Sequence, residues 1–179
     1  PNSPYGASKL AGEAYCSAYW KSFGLNTVVL RFSNIYGEGS THKKSIIANF
    51  IQRGLQKLPL EVYGTGQSIR DFLYIDDVIS SIILTSTMGS GGQTFHVCTG
   101  VKTSVSEITD RMVRIFETKL AITPSIVFLE SSPADALSSV ADPALYIKNF
   151  RPPPFTQLAD GLEKTFDYFL SKSNPSFFL

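Results

Sequence analysis

The sequence predicts an α/β fold in which helices alternate with short strands, and the strands belong to a parallel sheet. A helix is expected first, because Ser3 suits the N-cap, Pro4 suits the first helical position and Gly24 suits the stop. Residues 26–32 follow at once as a β-branched, apolar run typical of a strand covered on both faces. A helix that leads directly into such a strand indicates half of a parallel α/β sheet.

The later elements carry local signals of the same kind, chiefly apolar periodicity and residues that suit helix N-caps. We expect, in order, a helix capped by Ser45, strands at 60–63 and 69–75, a helix capped by Asp76, a strand at 93–98, a helix opened by the capping box of Ser104 and Glu107, a strand at 126–129, a short helix after Asp142-Pro143 and a last helix capped by Thr156. This alternation supports the α/β class along the whole chain.

Composition narrows the class of protein. Hydrophobic residues make up 43% of the 179 residues and the net charge is +1, which argues against a disordered chain and gives no support to nucleic-acid binding. No apolar run reaches the roughly 18 residues of a membrane span, so no membrane partner is expected. Cys16 and Cys98 form no CxxC pair, so neither a disulfide framework nor a metal site is expected. The first residues lack the features of a signal peptide, and a cytoplasmic, reduced protein is predicted.

Tyr5 and Lys9 are the first candidates for chemistry, because they lie one turn apart on the same side of the predicted first helix. An ammonium beside a tyrosine favours the phenolate, which is the form that accepts a proton. The spacing equally suits a surface ion pair between Lys9 and Glu13, one turn further on. Tyr168 and Lys172 repeat the spacing in the last helix, where we expect a solvated surface pair without a role.

Four segments, in this order, resemble those of one enzyme family. They are residues 1–13 with Tyr5-Gly6-Ala7-Ser8-Lys9, residues 30–37 with Ser33-Asn34-Ile35-Tyr36-Gly37, residues 64–78 with Arg70-Asp71-Phe72-Leu73-Tyr74, and residues 95–100 followed by Ser104. The chain resembles the extended short-chain dehydrogenase/reductases, and among them the nucleotide-sugar epimerases and dehydratases of UDP-glucose 4-epimerase type. The resemblance covers nearly the whole chain, and its third segment is very specific.

The resemblance implies the C-terminal part of a Rossmann-type parallel sheet plus a small mixed α/β substrate-binding domain. Residues 1–44 would end the NAD-binding domain, and residues 45–179 would mostly form the sugar-nucleotide-binding domain, with about 69–100 returning to the Rossmann sheet. No GxGxxG dinucleotide loop occurs in the sequence. The chain is therefore expected to be the C-terminal half of an enzyme, starting at its catalytic tyrosine and inactive alone.

By the same resemblance, Tyr5 is the catalytic acid/base and Lys9 holds the ribose hydroxyls of the nicotinamide. Tyr5, Lys9 and Phe32 would contact the NAD cofactor. The helix that bears Tyr5 and Lys9 would pair with its copy in a homodimer. A stripe of small side chains on that helix suits close packing, and it consists of Ala7, Ala11, Ala14 and Ala18.

The resemblance assigns the sugar nucleotide to a second set of residues, namely Asn34, Ser45, Glu61, Tyr63, Arg70 and Asp135. Arg70 would grip the diphosphate, since a planar guanidinium suits bidentate oxygen contacts. Plainer explanations exist: Asn34 as a turn residue, Tyr63 as core packing and Arg70 in an ion pair with Asp71. Ser132 stands where the family often has a second arginine clamp, so that clamp is expected to be lost or supplied elsewhere.

The function implied is that of an NAD-dependent nucleotide-sugar epimerase, of which this chain is the substrate-binding part. Such an enzyme oxidises the C4 hydroxyl of the sugar, lets the keto sugar rotate and reduces it on the other face, and a UDP-sugar is the favoured substrate. Two alternatives stay open. One is a nucleotide-sugar 4,6-dehydratase or reductase of the same family, and the other is a non-catalytic nucleotide-sugar-binding or scaffold protein.

Overall fold

The computed structural model describes residues 3–89, 91–130 and 138–173, and these residues form six helices and nine short strands. The helices are α1 (Pro4–Phe23), α2 (Ile46–Leu55), α3 (Ile75–Met88), α4 (Val105–Leu120), α5 (Ala144–Phe150) and α6 (Leu158–Lys172). The strands are β1 (Val28–Phe32), β2 (Asn34–Tyr36), β3 (Leu60–Tyr63), β4 (Ile69–Arg70), β5 (Phe72–Tyr74), β6 (Gln93–Val97), β7 (Thr103–Ser104), β8 (Ile126–Leu129) and β9 (Ser138–Ser139).

The strands pair mainly in parallel, which confirms the predicted α/β class. β1 pairs with β6 in a register that places Leu30 beside Phe95, and β2 with β5 and β3 with β8 are also parallel pairs. β4 pairs in parallel with β9 and in antiparallel orientation with β7. The pairing of β6 with β1 brings the carboxyl ends of both strands, at Phe32 and Val97, to one edge. In open parallel sheets this is the edge at which ligands bind.

Two hydrophobic cores hold these elements together. In the first, α2, α4 and α6 pack on β3 and β5, and the rings of Phe116 and Phe166 meet edge to face with centroids 4.8 Å apart. In the second, α3 and α5 pack on β1 and β6, and Phe150 lies against both Phe95 and Tyr146. The domain division at residue 44 stays a prediction, while α5 joins the core that contains β1 and β6.

Three predicted strands differ in the structure, and the one predicted at 93–98 ends one residue early, at Val97. The first begins at Val28, and its side chains are half-buried or exposed among the described residues, so it is not covered there on both faces. The run 69–75 is divided into β4 and β5 at Asp71, whose side chain is fully buried. A buried carboxylate requires hydrogen-bond donors, and those of Asp71 lie in loops outside the strand.

The predicted ends of two helices are confirmed by hydrogen bonds. The Ser3 hydroxyl accepts from the backbone N–H of Gly6 at 3.0 Å, and the Ser104 hydroxyl accepts from the backbone N–H of Glu107 at 3.0 Å. Gly24 ends α1 in the left-handed conformation, with φ of 66°. Glycine adopts this conformation without the steric cost that a Cβ brings.

The predicted caps at Asp76 and Thr156 are wrong. Tyr74 occupies the N-cap position of α3, so Asp76 and Asp77 lie inside its first turn, where the helix dipole favours negative charge. Gln157 occupies the N-cap position of α6. The Asp77 carboxylate instead accepts from the backbone N–H of Thr156 at 2.9 Å and from its hydroxyl at 3.2 Å, which ties the approach to α6 to the start of α3.

Helix α1 contacts the other described residues through one side and buries none of its own residues among them. The Glu13 carboxylate accepts from Nε of Arg31 at 2.8 Å, and the Cys16 carbonyl accepts from the Thr27 hydroxyl at 2.9 Å. Glu13 thus pairs with Arg31 and not with Lys9, the pair that was the alternative explanation for Lys9, and the hydrogen bond from the guanidinium lowers the pKa of Glu13. The alanine stripe lies on the opposite side of the helix and is exposed.

Both cysteines are free thiols, as the sequence predicts. Burial raises the pKa of Cys98 to about 11, so its thiol stays protonated at neutral pH, and it donates to the carbonyl of Ala141 at 3.3 Å. Among the described residues, no helix combines the length and hydrophobicity needed to cross a membrane. The same residues contain no cluster of three His, Cys, Asp or Glu side chains that could hold a metal ion.

The close approach of α6 to β2 generates a stability prediction. A Cβ on Gly161 would collide with the hydroxyl of the buried Tyr36 side chain. Gly161→Ala should therefore lower the free energy of unfolding by roughly 1–3 kcal/mol, the usual cost of overpacking a core. Chemical denaturation of the intact protein measures this loss.

Gly12→Ala is the matched control, because Gly12 also lies inside a helix and a Cβ there would meet no described residue within 4 Å. Alanine is the better helix former, so this variant should be unchanged or more stable by up to about 1 kcal/mol. Equal effects of the two substitutions would contradict the packing described for Gly161.

Candidate functional site

A cleft of about 300 Å³ opens where β2, β3 and β4 meet the start of α2. Five of the six predicted substrate-binding residues line it, although they come from four separate segments of the chain: Asn34, Ser45, Glu61, Tyr63 and Arg70. The sixth, Asp135, lies outside the described residues, as does Ser132. Lys44, Asn49 and Ser68 also line the cleft and were not predicted. The predicted residues nearby in the sequence were the available signal, since Lys44 precedes Ser45, Asn49 lies one helical turn beyond Ser45 and Ser68 lies two residues before Arg70.

Asn34 is the first residue of β2, so the interpretation of this residue as part of a turn is wrong. Its backbone N–H donates to the carbonyl of Asp71 at 2.9 Å, and its side-chain amide donates to the same oxygen at 3.0 Å. Two bonds to one carbonyl hold the Asn34 side chain in a defined position at the cleft.

Arg70 ends β4, and its Nη1 donates to the carbonyl of Ile69 at 2.9 Å. The next residue, Asp71, is 0% exposed and directs its carboxylate to other partners than the neighbouring guanidinium. Oδ1 of Asp71 accepts from the hydroxyls of Ser33 at 3.1 Å and of Thr99 at 2.8 Å, and Oδ2 accepts from the backbone N–H of Gly100 at 2.7 Å. These contacts replace the local ion pair that was the alternative explanation for Arg70.

Strand β3 presents Glu61 and Tyr63 to the cleft. Oε1 of Glu61 lies 3.0 Å from Nη2 of Arg53 on α2, and Nε of Arg53 donates to the carbonyl of Pro59 at 2.6 Å. Tyr63 is 52% exposed, so core packing does not explain its presence. An exposed ring beside a cleft is available to stack on a planar ligand.

The N-terminus of α2 forms one wall of the cleft. Ser45 holds the N-cap position, but its hydroxyl makes no capping hydrogen bond. Lys44 precedes it at the same wall. The first N–H groups of a helix and its dipole favour an anion, and a lysine beside them adds to this preference. This end of the cleft therefore suits a negatively charged ligand group.

Tyr5 and Lys9 lie on α1 and do not line the cleft. Nζ of Lys9 is 5.2 Å from the centroid of the Tyr5 ring, and Tyr5 is 72% exposed among the described residues. In the second copy, Nζ of Lys172 is 5.6 Å from the Tyr168 ring. Tyr168 is half-buried against the first core, so the expected solvated pair is wrong for this tyrosine.

Several tyrosines are excluded as proton acceptors by their surroundings. Burial raises the pKa of Tyr36, Tyr74 and Tyr146 above the ordinary value, so these three phenols stay protonated at neutral pH. Tyr5 differs from them because it is exposed and has a lysine within one turn. Phe32, the third residue expected at the cofactor, lies at the carboxyl end of β1 and packs partly into the second core.

Comparison with known proteins shows which family the chain resembles. A Bacillus subtilis protein named as an uncharacterized UDP-glucose epimerase, YtcB, is 34% identical over 158 residues, which are 83% of this chain and 49% of that protein. The dTDP-glucose 4,6-dehydratase of an Actinoplanes species is 36% identical over 110 residues, 62% of this chain and 34% of the enzyme. The chain thus spans about half the length of these relatives or less.

Solved structures extend the similarity to nearly the whole chain. The UDP-glucuronic acid 4-epimerase from Bacillus cereus, in complex with UDP-glucuronic acid and NAD, superposes with a TM-score of 0.87 at 28% identity. The match covers 97% of this chain and 54% of that structure. A family model, the NAD dependent epimerase/dehydratase family, matches residues 1–98 of the 179. Since this match spans more than half of the residues, the chain belongs to the NAD dependent epimerase/dehydratase family.

Proposed function

We propose that the intact protein is an NAD-dependent epimerase acting at C4 of a UDP-linked sugar, and that this chain supplies its substrate-binding part. The observation that carries the proposal is the gathering of five polar residues from separate segments around one cleft: Asn34, Ser45, Glu61, Tyr63 and Arg70. The B. subtilis relative and the B. cereus structure, both named for UDP-sugar epimerases, support the choice of UDP.

The charges of the cleft suit a diphosphate. Lys44 and Arg70 bring two cationic side chains to it, together with the N-terminus of α2. The carboxylate of Glu61 is balanced by Arg53 at 3.0 Å, so it opposes an anion less than an isolated carboxylate would. We assign stacking on the nucleobase to the ring of Tyr63, because that ring is exposed beside the cleft.

Tyr5, Lys9 and Phe32, which lie away from the cleft, fit NAD, the cofactor of the family. Phe32 and Val97 end two parallel strands at the edge where dinucleotides bind, and Tyr5 and Lys9 stand exposed on the adjoining helix. When bound, NAD supplies an acceptor and donor of hydride at the sugar carbon. We assign to Lys9 the ribose hydroxyls and to Phe32 a packing contact with the cofactor.

Tyr5 then handles the proton. Acting as the general base, with Lys9 one turn along the helix, it accepts the proton of the sugar C4 hydroxyl during oxidation. It returns that proton to the same oxygen when the ketone is reduced. The cleft residues keep hold of the nucleotide diphosphate between these steps, which leaves the sugar free to present its other face.

Product analysis tests the reaction. The intact protein is incubated with UDP-glucose and NAD, and the products are followed by proton NMR. UDP-galactose is expected. A 4-keto-6-deoxy product would instead support a dehydratase, the activity for which the Actinoplanes relative is named. Binding of UDP-sugars without any conversion would support the non-catalytic alternative.

Loss of Arg70 should weaken binding of the sugar nucleotide by well over tenfold. Removing one partner of a charge-assisted contact to phosphate costs on the order of 2–5 kcal/mol. The measurement is calorimetric titration of UDP-glucose into the wild type and Arg70→Ala. Arg111→Ala is the control, since Arg111 pairs with Glu107 on α4 and does not line the cleft. Equal affinity of wild type and Arg70→Ala would refute the assignment.

Substitutions in the two tyrosine–lysine pairs should have different effects on turnover. Tyr5→Phe keeps the ring and removes proton transfer, so turnover should fall by about 10²- to 10⁴-fold while NAD binding is largely retained. Lys9→Met should impair both turnover and NAD binding, because the ribose contact and the positive charge disappear together. Steady-state kinetics and NAD titration measure the two effects.

Tyr168→Phe provides the control for this comparison, because Tyr168 has a lysine at the same spacing but packs on the first core. Its turnover should match that of the wild type. A Tyr5→Phe enzyme within about threefold of the wild type would rule out Tyr5 as the acid/base, since loss of acid–base catalysis costs far more.

We further propose that the intact protein is a homodimer through α1. The stripe of Ala7, Ala11, Ala14 and Ala18 is exposed and lies opposite the side that contacts β1. Light scattering at micromolar concentration should give the mass of two subunits. Ala14→Glu should reduce it to one, because an unpaired carboxylate in a close helix–helix contact is costly. A wild-type mass of one subunit would contradict the proposal.

A further inference from the structure

We propose that Asp71 is a positioning residue of the sugar-nucleotide cleft, acting through Asn34 and Arg70. The inference rests on the proposed function, since it concerns how the chain orients two residues toward the diphosphate. Asp71 is not among the described residues that line the cleft, but it adjoins two that do, Asn34 through hydrogen bonds and Arg70 along the chain. The buried carboxylate of Asp71 and its position next to Arg70 in the chain nevertheless control the placement of Asn34 and Arg70.

The carboxylate of Asp71 is held by two loops. Oδ1 accepts from the Ser33 hydroxyl, the Thr99 hydroxyl and the Thr99 backbone N–H, and Oδ2 accepts from the Gly100 backbone N–H at 2.7 Å. The residue is fully buried, and a buried carboxylate is tolerated only when its oxygens are well supplied with donors. This network fixes the orientation of the Asp71 backbone.

The backbone of Asp71 in turn positions the two cleft residues. Its carbonyl oxygen accepts both the backbone N–H and the side-chain amide of Asn34, at 2.9 and 3.0 Å. Its amide nitrogen is joined directly to Arg70, whose side chain starts one residue from the buried anchor. A rotation of the Asp71 peptide would therefore shift Asn34 and Arg70 together. The two residues come from different strands, and Asp71 is the link that sets their relative placement.

Asp71→Asn in the intact protein tests this link. The replacement keeps the size of the side chain but turns one acceptor into a donor, which opposes the N–H groups of Thr99 or Gly100. Hydrogen bonds to a charged group are the stronger ones, so the dissociation constant for UDP should rise by about tenfold or more. Calorimetric titration with UDP, at a temperature where the variant is folded, measures the change.

A double-mutant cycle with Asn34→Ala separates positioning from a general loss of stability. If Asp71 acts through Asn34 as well as Arg70, the effect of Asp71→Asn on UDP affinity should be clearly smaller once Asn34 is absent, because only the part transmitted by Arg70 remains. A purely structural role would lower the free energy of unfolding and leave the two effects on affinity additive. Additive effects would overturn the proposal.

Two further variants complete the test, one as a control and one for the case in which Asp71→Asn does not fold. Asp77→Asn removes a comparable carboxylate, which also accepts from a threonine N–H and hydroxyl but lies away from the cleft. It should lose stability while keeping UDP affinity within about twofold of the wild type. If Asp71→Asn fails to fold, Thr99→Val removes one donor to Asp71 from outside the cleft and should weaken UDP binding by about threefold. Unchanged affinity in Thr99→Val would then overturn the proposal.

The failure of this inference can be distinguished from failure of the proposed function. If the wild-type protein does not bind UDP, the proposed function fails and the inference fails with it. If the wild type binds UDP and Asp71→Asn binds it equally well, the inference alone is overturned, because Asn34 and Arg70 then keep their positions without the buried carboxylate.

Discussion

The buried carboxylate of Asp71 is the constraint on which the candidate site depends. It interrupts what would otherwise be one strand, because its oxygens take donors from the loop after β1 and from the loop after β6. Those loops follow the paired parallel strands that form the expected cofactor edge. The carbonyl oxygen of Asp71 also accepts a hydrogen bond from the Asn34 side chain, and Asp71 directly follows Arg70 in the chain. One buried charge thus connects the cofactor edge of the sheet with the cleft.

The cleft also depends on an ion pair between Glu61, which lines it, and Arg53, which lies outside it. Arg53 on α2 bonds to the Pro59 carbonyl and balances Glu61, so the start of β3 is held against the helix and its carboxylate is neutralised. The N-terminus of α2, which receives no side-chain cap from Ser45 among the described residues, and Lys44 then favour an anion in the cleft. In the proposed function, the preference for an anion therefore arises from helix placement as much as from the residues of the family motifs.

The sequence by itself determined the features that depend on interactions between residues close together in the chain. The helix from Pro4 to Phe23, its N-cap and the pairing of Tyr5 with Lys9 follow from spacing along one element. The α/β class follows from the alternation of such elements, and the resemblance of four collinear segments identified the family and the five residues that the structure gathers around the cleft. A local motif encodes these features because each depends on a few neighbouring residues.

Only the tertiary structure decided which partner each buried or half-buried charge takes. Glu13 pairs with Arg31 instead of its helical neighbour, and Asp77 bonds to Thr156 instead of capping its own helix. Asp71 likewise bonds across the fold, to the backbone N–H of Gly100, and Arg70 beside it lines the cleft. These choices depend on which strands lie side by side, and that is set by the burial of apolar faces far apart in the sequence. A local pattern contains no record of such distances, so it cannot rank a neighbouring partner against a remote one.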